Sequence, residues 1–158
     1  MRFFQKSGRL LAVTDGRILP LSAVPDEAFA SGMLGIGFAM EPSAGTVYAP
    51  ADGRIECIAE GKHAYTLLTE DGLEVLIHVG IDTVSLGGEC FLPMIFPESR
   101  VKAGDVIARA DLDRIREKGF SPIIPVLITN PEQLRDYTLT DAKAGLGGQT
   151  EALSYRRK

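Results

Sequence analysis

Apolar and polar positions alternate along this chain in short runs cut by turn residues, and sustained helical spacing is rare. Leu10-Leu11-Ala12-Val13, then Thr14-Asp15-Gly16, then Arg17-Ile18-Leu19-Pro20-Leu21 predicts two strands joined by an Asp-Gly hairpin. The same unit returns 37 residues later as Ala49-Pro50-Ala51-Asp52-Gly53-Arg54-Ile55. One echo is too little for a solenoid, but two similar strand–turn–strand elements suit a single β-sandwich or barrel. Gly32-Met33-Leu34-Gly35-Ile36-Gly37-Phe38-Ala39-Met40 reads as a glycine-kinked strand against which another backbone packs closely. Its G-x-x-G-x-G spacing has no following Lys-Ser/Thr, so it is not a phosphate loop.

Helix is predicted in two places. Val24 to Ala30 supports one short turn with Pro25 near its start, and Asp111 to Lys118 supports a helix with Asp111 as N-cap and Gly119 as its stop. Ile123 to Thr129 reads as a buried strand. Asn130-Pro131 supplies a cap and an N1 proline for another short turn, and Ala152 to Tyr155 reads as a closing strand. The fold class expected is all-β: a compact antiparallel β-sandwich or barrel-sandwich hybrid with one or two short helices. Residues 1–9 are expected to be a short, frayed tail and residues 10–158 a single domain with no interdomain linker.

The stretch that stands out is Leu73-Glu74-Val75-Leu76-Ile77-His78-Val79-Gly80-Ile81-Asp82-Thr83-Val84. His78 ends an alternating apolar run, and the chain's other histidine, His63, lies across the Asp71-Gly72 turn. If residues 70 and 71 are the central loop residues, pairing partners sum to 141, and the histidines stand directly opposite, roughly 4.5–5.5 Å apart at Cβ. If Asp71-Gly72 is a two-residue turn, partners sum to 143 and the histidines are diagonal neighbours, roughly 7–8 Å apart. Either register puts them on one face; a one-residue bulge would separate them.

Composition narrows the partners. The formal net charge of −4 lacks the basic face that nucleic acid requires and favours a basic protein partner. The apolar runs are far short of a membrane span. Residues 1–11 have no h-region or cleavage site, so a signal peptide is not expected. Cys57 and Cys90 form no C-x-x-C pair and are expected to be reduced and semi-buried.

Three chemistries suit a facing histidine pair. Zinc at His63 and His78 would need further ligands, with Cys90, Asp82 and Glu74 the candidates, but no ligand spacing supports them. A hydrolase would need a nucleophile or metal that nothing marks. Reversible phosphoryl carriage needs only one imidazole held in a single tautomer and a second group to steady the phosphoryl oxygens, since such transfer is largely positioning. The lack of an arginine cluster fits a carrier that must release its phosphoryl group.

At His63-Ala64 and at Ile77-His78-Val79-Gly80-Ile81-Asp82-Thr83-Val84 the chain resembles the glucose-type enzyme IIA of the bacterial phosphoenolpyruvate:sugar phosphotransferase system. Further matches are Val24-Pro25-Asp26-x-x-Phe29-Ala30, Val47-x-Ala49-Pro50-x-Asp52-Gly53, Leu86-x-Gly88-Glu89-x-Phe91, Arg100-Val101-Lys102-x-Gly104-Asp105 and Pro125-Val126-x-Ile128-Thr129-Asn130. They are collinear over about residues 10–157. The resemblance implies a phosphotransferase component on a compact antiparallel β-sandwich. His78 would accept a phosphoryl group from HPr as a tele-phosphohistidine and give it to the IIB domain of a sugar permease. His63 would help to hold and transfer it. The resemblance implies no cofactor, a cytoplasmic location and regulatory target proteins as further partners.

It also implies an apolar docking face of Phe29, Met33, Leu34 and Leu76 with Asp26 and Asp82 on its acidic rim. Against that face stand core packing for the apolar residues and turn-capping for Asp82. The chain departs from the family pattern at Gly61, where a threonine hydroxyl usually orients the second histidine, and at Cys90, where glycine is usual. Ile36 and Ala59 replace residues that are acidic or aromatic in some members. A biotinyl- or lipoyl-like carrier is the alternative: Ala49 to Gly53 and Val101 to Asp105 resemble its strand–turn pieces. No lysine-bearing hairpin tip accompanies them. A β-rich zinc-binding module is third.

Overall fold

The computed structural model describes residues 6–158. Within them fourteen strands run in order: β1 Ser7–Leu11, β2 Gly16–Pro20, β3 Ile36–Pro42, β4 Thr46–Tyr48, β5 Gly53–Ile58, β6 Ala64–Thr69, β7 Glu74–His78, β8 Phe91–Pro93, β9 Arg100–Val101, β10 Val106–Ala110, β11 Ile124–Ile128, β12 Leu134–Leu139, β13 Ala144–Gly145 and β14 Glu151–Arg157. Two short helices, α1 Glu27–Ala30 and α2 Leu112–Glu117, interrupt them. Every pairing among them is antiparallel. An eight-stranded sheet, β13-β2-β3-β11-β7-β6-β5-β9, is completed by two three-stranded sheets, β1-β14-β12 and β4-β10-β8. The chain therefore adopts the antiparallel β-sandwich that its alternation predicts.

Alternation sorts the side chains. On β6 and β7, Tyr65, Leu67, Val75 and Ile77 point into the main core and are fully buried. Central strand β11 is buried at all five positions because its outer face is covered too. There Leu21, Val24 and Phe29 pack with Ala39, Ile81 and Leu127 in a second apolar cluster. That cluster lies beside His78 and builds one wall of the site.

The Asp15-Gly16 and Asp52-Gly53 turns are not hairpins. β1 pairs with β14 while β2 pairs with β3 and β13; likewise β4 pairs with β10 while β5 pairs with β6 and β9. Each turn instead carries the chain from a small sheet into the large one. Gly16 and Gly53 enter against the carbonyls of Glu41 and Leu68, where a Cβ would not fit. The hairpin rule assumes that flanking runs pair with each other, and here their partners are distant in sequence.

The echo itself is structural. Asp15 Oδ1 accepts the Gly147 N–H at 2.8 Å, and Asp52 Oδ1 accepts the Ala103 N–H at 2.8 Å. The Gly148 N–H donates to the Ala12 carbonyl at 2.7 Å, and the Gly104 N–H to the Ala49 carbonyl at 2.9 Å. Gly104 and Gly148 touch: a Cβ on Gly148 would lie 2.8 Å from the Gly104 Cα.

Several boundaries move. Ser7, Gly8 and Arg9, expected in a tail, pair with Arg156, Tyr155 and Ser154 in β1. The frayed terminus expected at residues 1–5 lies outside the described residues. α2 forms as predicted, with Asp111 Oδ1 accepting the Arg114 N–H at 3.2 Å. Cys57, expected semi-buried, is exposed because the β5–β6 register shifts between Ile55 and Cys57 and turns it outward; Cys90 is half-buried. Among the described residues no helix is long and apolar enough to cross a membrane.

Candidate functional site

The β6–β7 hairpin takes a register that neither expectation anticipated. Ala64 stands opposite His78, Tyr65 opposite Ile77 and Leu68 opposite Glu74, so partners sum to 142. The loop has three residues, Glu70-Asp71-Gly72, closed by the Thr69 N–H on the Leu73 carbonyl at 2.9 Å, with Gly72 at φ 92°. Strict strand parity would then send the two histidines to opposite faces. They meet nonetheless, because β6 begins only at Ala64 and Lys62, at φ 62°, turns the chain just before His63. The ring centroids are 5.0 Å apart and the planes are edge-on at 76°.

Side-chain bonds, local and long-range, fix that loop. Asp71 accepts the Tyr155 hydroxyl at 2.6 Å and the Thr69 hydroxyl at 2.5 Å. Asn130, expected as a helix cap, makes no capping bond. Its Oδ1 accepts the Glu74 N–H at 2.9 Å and its Nδ2 donates to the Gly72 carbonyl at 3.1 Å. These contacts hold β7 in register, and β7 carries His78.

His78 Nδ1 lies 2.7 Å from the Gly80 carbonyl. A carbonyl only accepts, so Nδ1 carries the proton and Nε2 keeps its lone pair. The Phe29 ring lies 5.2 Å away, tilted by 58°, on the end of α1. Asp26 starts that helix by accepting the N–H groups of Ala28 at 2.9 Å and Phe29 at 3.4 Å. Burial holds the His78 pKa below its ordinary value. The Gly80 bond opposes this, His63 adds to the lowering, and the charges of Asp26 and Asp82 pull it back. The ring is therefore neutral and nucleophilic at neutral pH.

His63 is 7% exposed and lies 6.5 Å from the Phe91 ring. Its Nδ1 is buried without a hydrogen-bond partner. Burial lowers its pKa too, and the Gly61 backbone, which pulls the other way, falls short of hydrogen-bond geometry with Nδ1. A buried N–H without an acceptor is the rarer arrangement, so the proton belongs on Nε2, where it is a donor. No hydroxyl orients the ring. A Cβ at residue 61 would lie 2.7 Å from Nδ1, so the bare Gly61 backbone, Phe91 and His78 seat it by packing. The Tyr65 hydroxyl, its pKa pushed up to about 12 by burial, donates to the Lys62 carbonyl at 3.0 Å and steadies the turn before His63.

The residues expected on a docking face divide. Met33 and Leu34 are exposed, and Leu76 is half-buried on the outer face with His78. Phe29 is buried and forms a wall of the site beside His78. Asp26 is engaged as the α1 cap, whereas Asp82 is exposed and makes no capping bond, contrary to the turn-capping alternative. Val84 is a further exposed apolar residue just after Asp82-Thr83, missed although its position beside the His78 loop marked it. Glu74 lies at the far end of β7 from His78. Among the described residues, His, Cys, Asp and Glu form no group of three that could hold a metal ion.

Comparison with known proteins identifies the family. Residues 8–134 match the family described as phosphoenolpyruvate-dependent sugar phosphotransferase system, EIIA 1. A glucose-specific EIIBCA component of Corynebacterium glutamicum is 44% identical over 127 residues, which are 78% of this chain and 19% of that protein. A glucose-specific EIIA component of Staphylococcus epidermidis is 34% identical over 148 residues, 94% of this chain and 89% of that one. The glucose permease IIA of Mycoplasma capricolum superposes with a TM-score of 0.87 at 34% identity, covering 97% of this chain and 99% of that one. The chain thus spans about a fifth of the fused relative and most of the free-standing one. Nothing found supports a biotinyl- or lipoyl-like carrier or a zinc-binding module.

Proposed function

Because the chain belongs to the EIIA 1 family of the phosphoenolpyruvate-dependent sugar phosphotransferase system, we propose that this phosphotransferase component carries its phosphoryl group on His78. The group comes from HPr and goes to the IIB domain of a sugar permease, in the cytoplasm. The observation that carries this reading is the His78 Nδ1–Gly80 bond of 2.7 Å. It leaves the Nε2 lone pair free to attack phosphorus while the bond to the donor breaks. No proton has to leave His78 first, and the positive charge that develops on the ring is shared with the Gly80 carbonyl. His63 offers its Nε2–H to a phosphoryl oxygen. No cofactor is needed, since the work is positioning and charge stabilisation.

Partner docking on this reading uses Met33, Leu34 and Val84 around the histidines, with Asp82 as the free acidic rim charge. Relatives that join EIIA to EIIB and EIIC in one chain support a IIB partner.

Incubation with phosphoenolpyruvate, enzyme I and HPr should add one acid-labile phosphoryl group, read as a mass gain. His78→Gln should abolish labelling. His63→Gln should still accept the group but pass it on slowly. Labelling that persists in His78→Gln would overturn the assignment.

A further inference from the structure

Thr83 has no part in the chemistry described so far, yet it is one of only four polar residues found buried among the described residues. Its Oγ1 donates to the Val79 carbonyl at 2.6 Å. Its methyl group occupies the place where a Cβ on Gly80 would fall.

The peptide planes around Gly80 are held one by one. The Val79 N–H donates to the His63 carbonyl at 2.7 Å, and the Val79 carbonyl is held by Thr83. On the other side, the Ile81 N–H donates to the Ser121 carbonyl at 2.9 Å. Between these two fixed planes Gly80 sits at φ 84°, in the left-handed region that glycine tolerates. The Gly80 carbonyl belongs to the second plane, and its direction relative to the first is set by the φ and ψ of Gly80, so holding the first plane narrows where that carbonyl can point. This carbonyl sets the His78 tautomer. Loss of the Thr83 hydroxyl would free the Val79–Gly80 plane and leave a buried carbonyl unpaired, which would turn to find a new partner.

We propose that Thr83 is the positioning residue that holds the Gly80 carbonyl on His78 Nδ1 and so keeps Nε2 as the nucleophile. Its kinetic consequence rests on the phosphoryl-carrier reading; the tautomer does not.

The test is imidazole 15N NMR of the full unphosphorylated chain, with phosphoryl uptake from HPr measured alongside. In the parent protein, His78 should show a protonated Nδ1 and a bare Nε2. Thr83→Val keeps the shape and removes the hydroxyl; it should average the two nitrogen shifts and slow uptake about tenfold. Thr83→Ser keeps the hydroxyl and should retain the parent pattern, with uptake within about twofold. A folded Thr83→Val with the parent His78 pattern would overturn the proposal. So would a folded Thr83→Ser with mixed tautomers, which decides the matter if the valine variant does not fold. A tautomer shift without any phosphoryl uptake, even by the parent protein, would instead sink the carrier reading and leave the role of Thr83 standing.

Discussion

His78 and His63 are both kept below the ordinary histidine pKa of 6.5, chiefly by burial. The unfolded chain therefore takes up protons at these positions more readily than the folded one. Stability from this source is complete above about pH 6.5 and is lost as pH falls through the lowered folded values. Melting temperatures measured from about pH 7 down to about pH 5 should decline, and His78→Gln should flatten that decline. An unchanged slope would mean that the histidines are not responsible. At this scale the sequence was informative about identity and poor about cause. Two histidines beside one turn were visible as a pair, but the register of 142 and the left-handed Lys62 that reconcile them were not. The seating of His63 against Gly61 was hidden as well, since it depends on Phe91 and His78 closing around a bare backbone.

Among elements, the β6–β7 hairpin and α1 do most to place the site. α1 is only four residues long, so its cap matters more than its propensity. Asp26→Ala should cost about 1 kcal/mol by thermal or chemical unfolding and loosen Phe29 over His78. Asp26→Asn retains an oxygen that accepts the same N–H groups, so it should keep most of that stability while removing a charge that acts on His78. A similar loss in both variants would show that charge, not capping, is what counts. Elements whose signals are local were legible: α2 with Asp111 and Gly119, and the buried run of β11. Asn130 was misread because its partners, Gly72 and Glu74, are more than fifty residues away, and a cap motif carries no trace of them.

For the whole molecule, alternation with frequent turns was enough to identify an antiparallel sandwich, and the repeated Ala-x-x-Asp-Gly-Arg-Ile pattern was a true signal assigned the wrong geometry. What it marks are two corners that meet at Gly104 and Gly148. Both glycines have positive φ, 92° and 72°. Gly148→Ala adds a methyl against Gly104 and should destabilise the fold by about 1–3 kcal/mol. The cost combined with Gly104→Ala should differ from the sum of the two, because the sites touch; strict additivity in unfolding measurements would contradict that contact. The same set of bonds therefore closes two corners on either side of one glycine contact. Both histidines follow the second corner in the sequence, whereas Asp26 and Phe29, which act on His78, follow the first, so the segments that leave the two corners meet at one site.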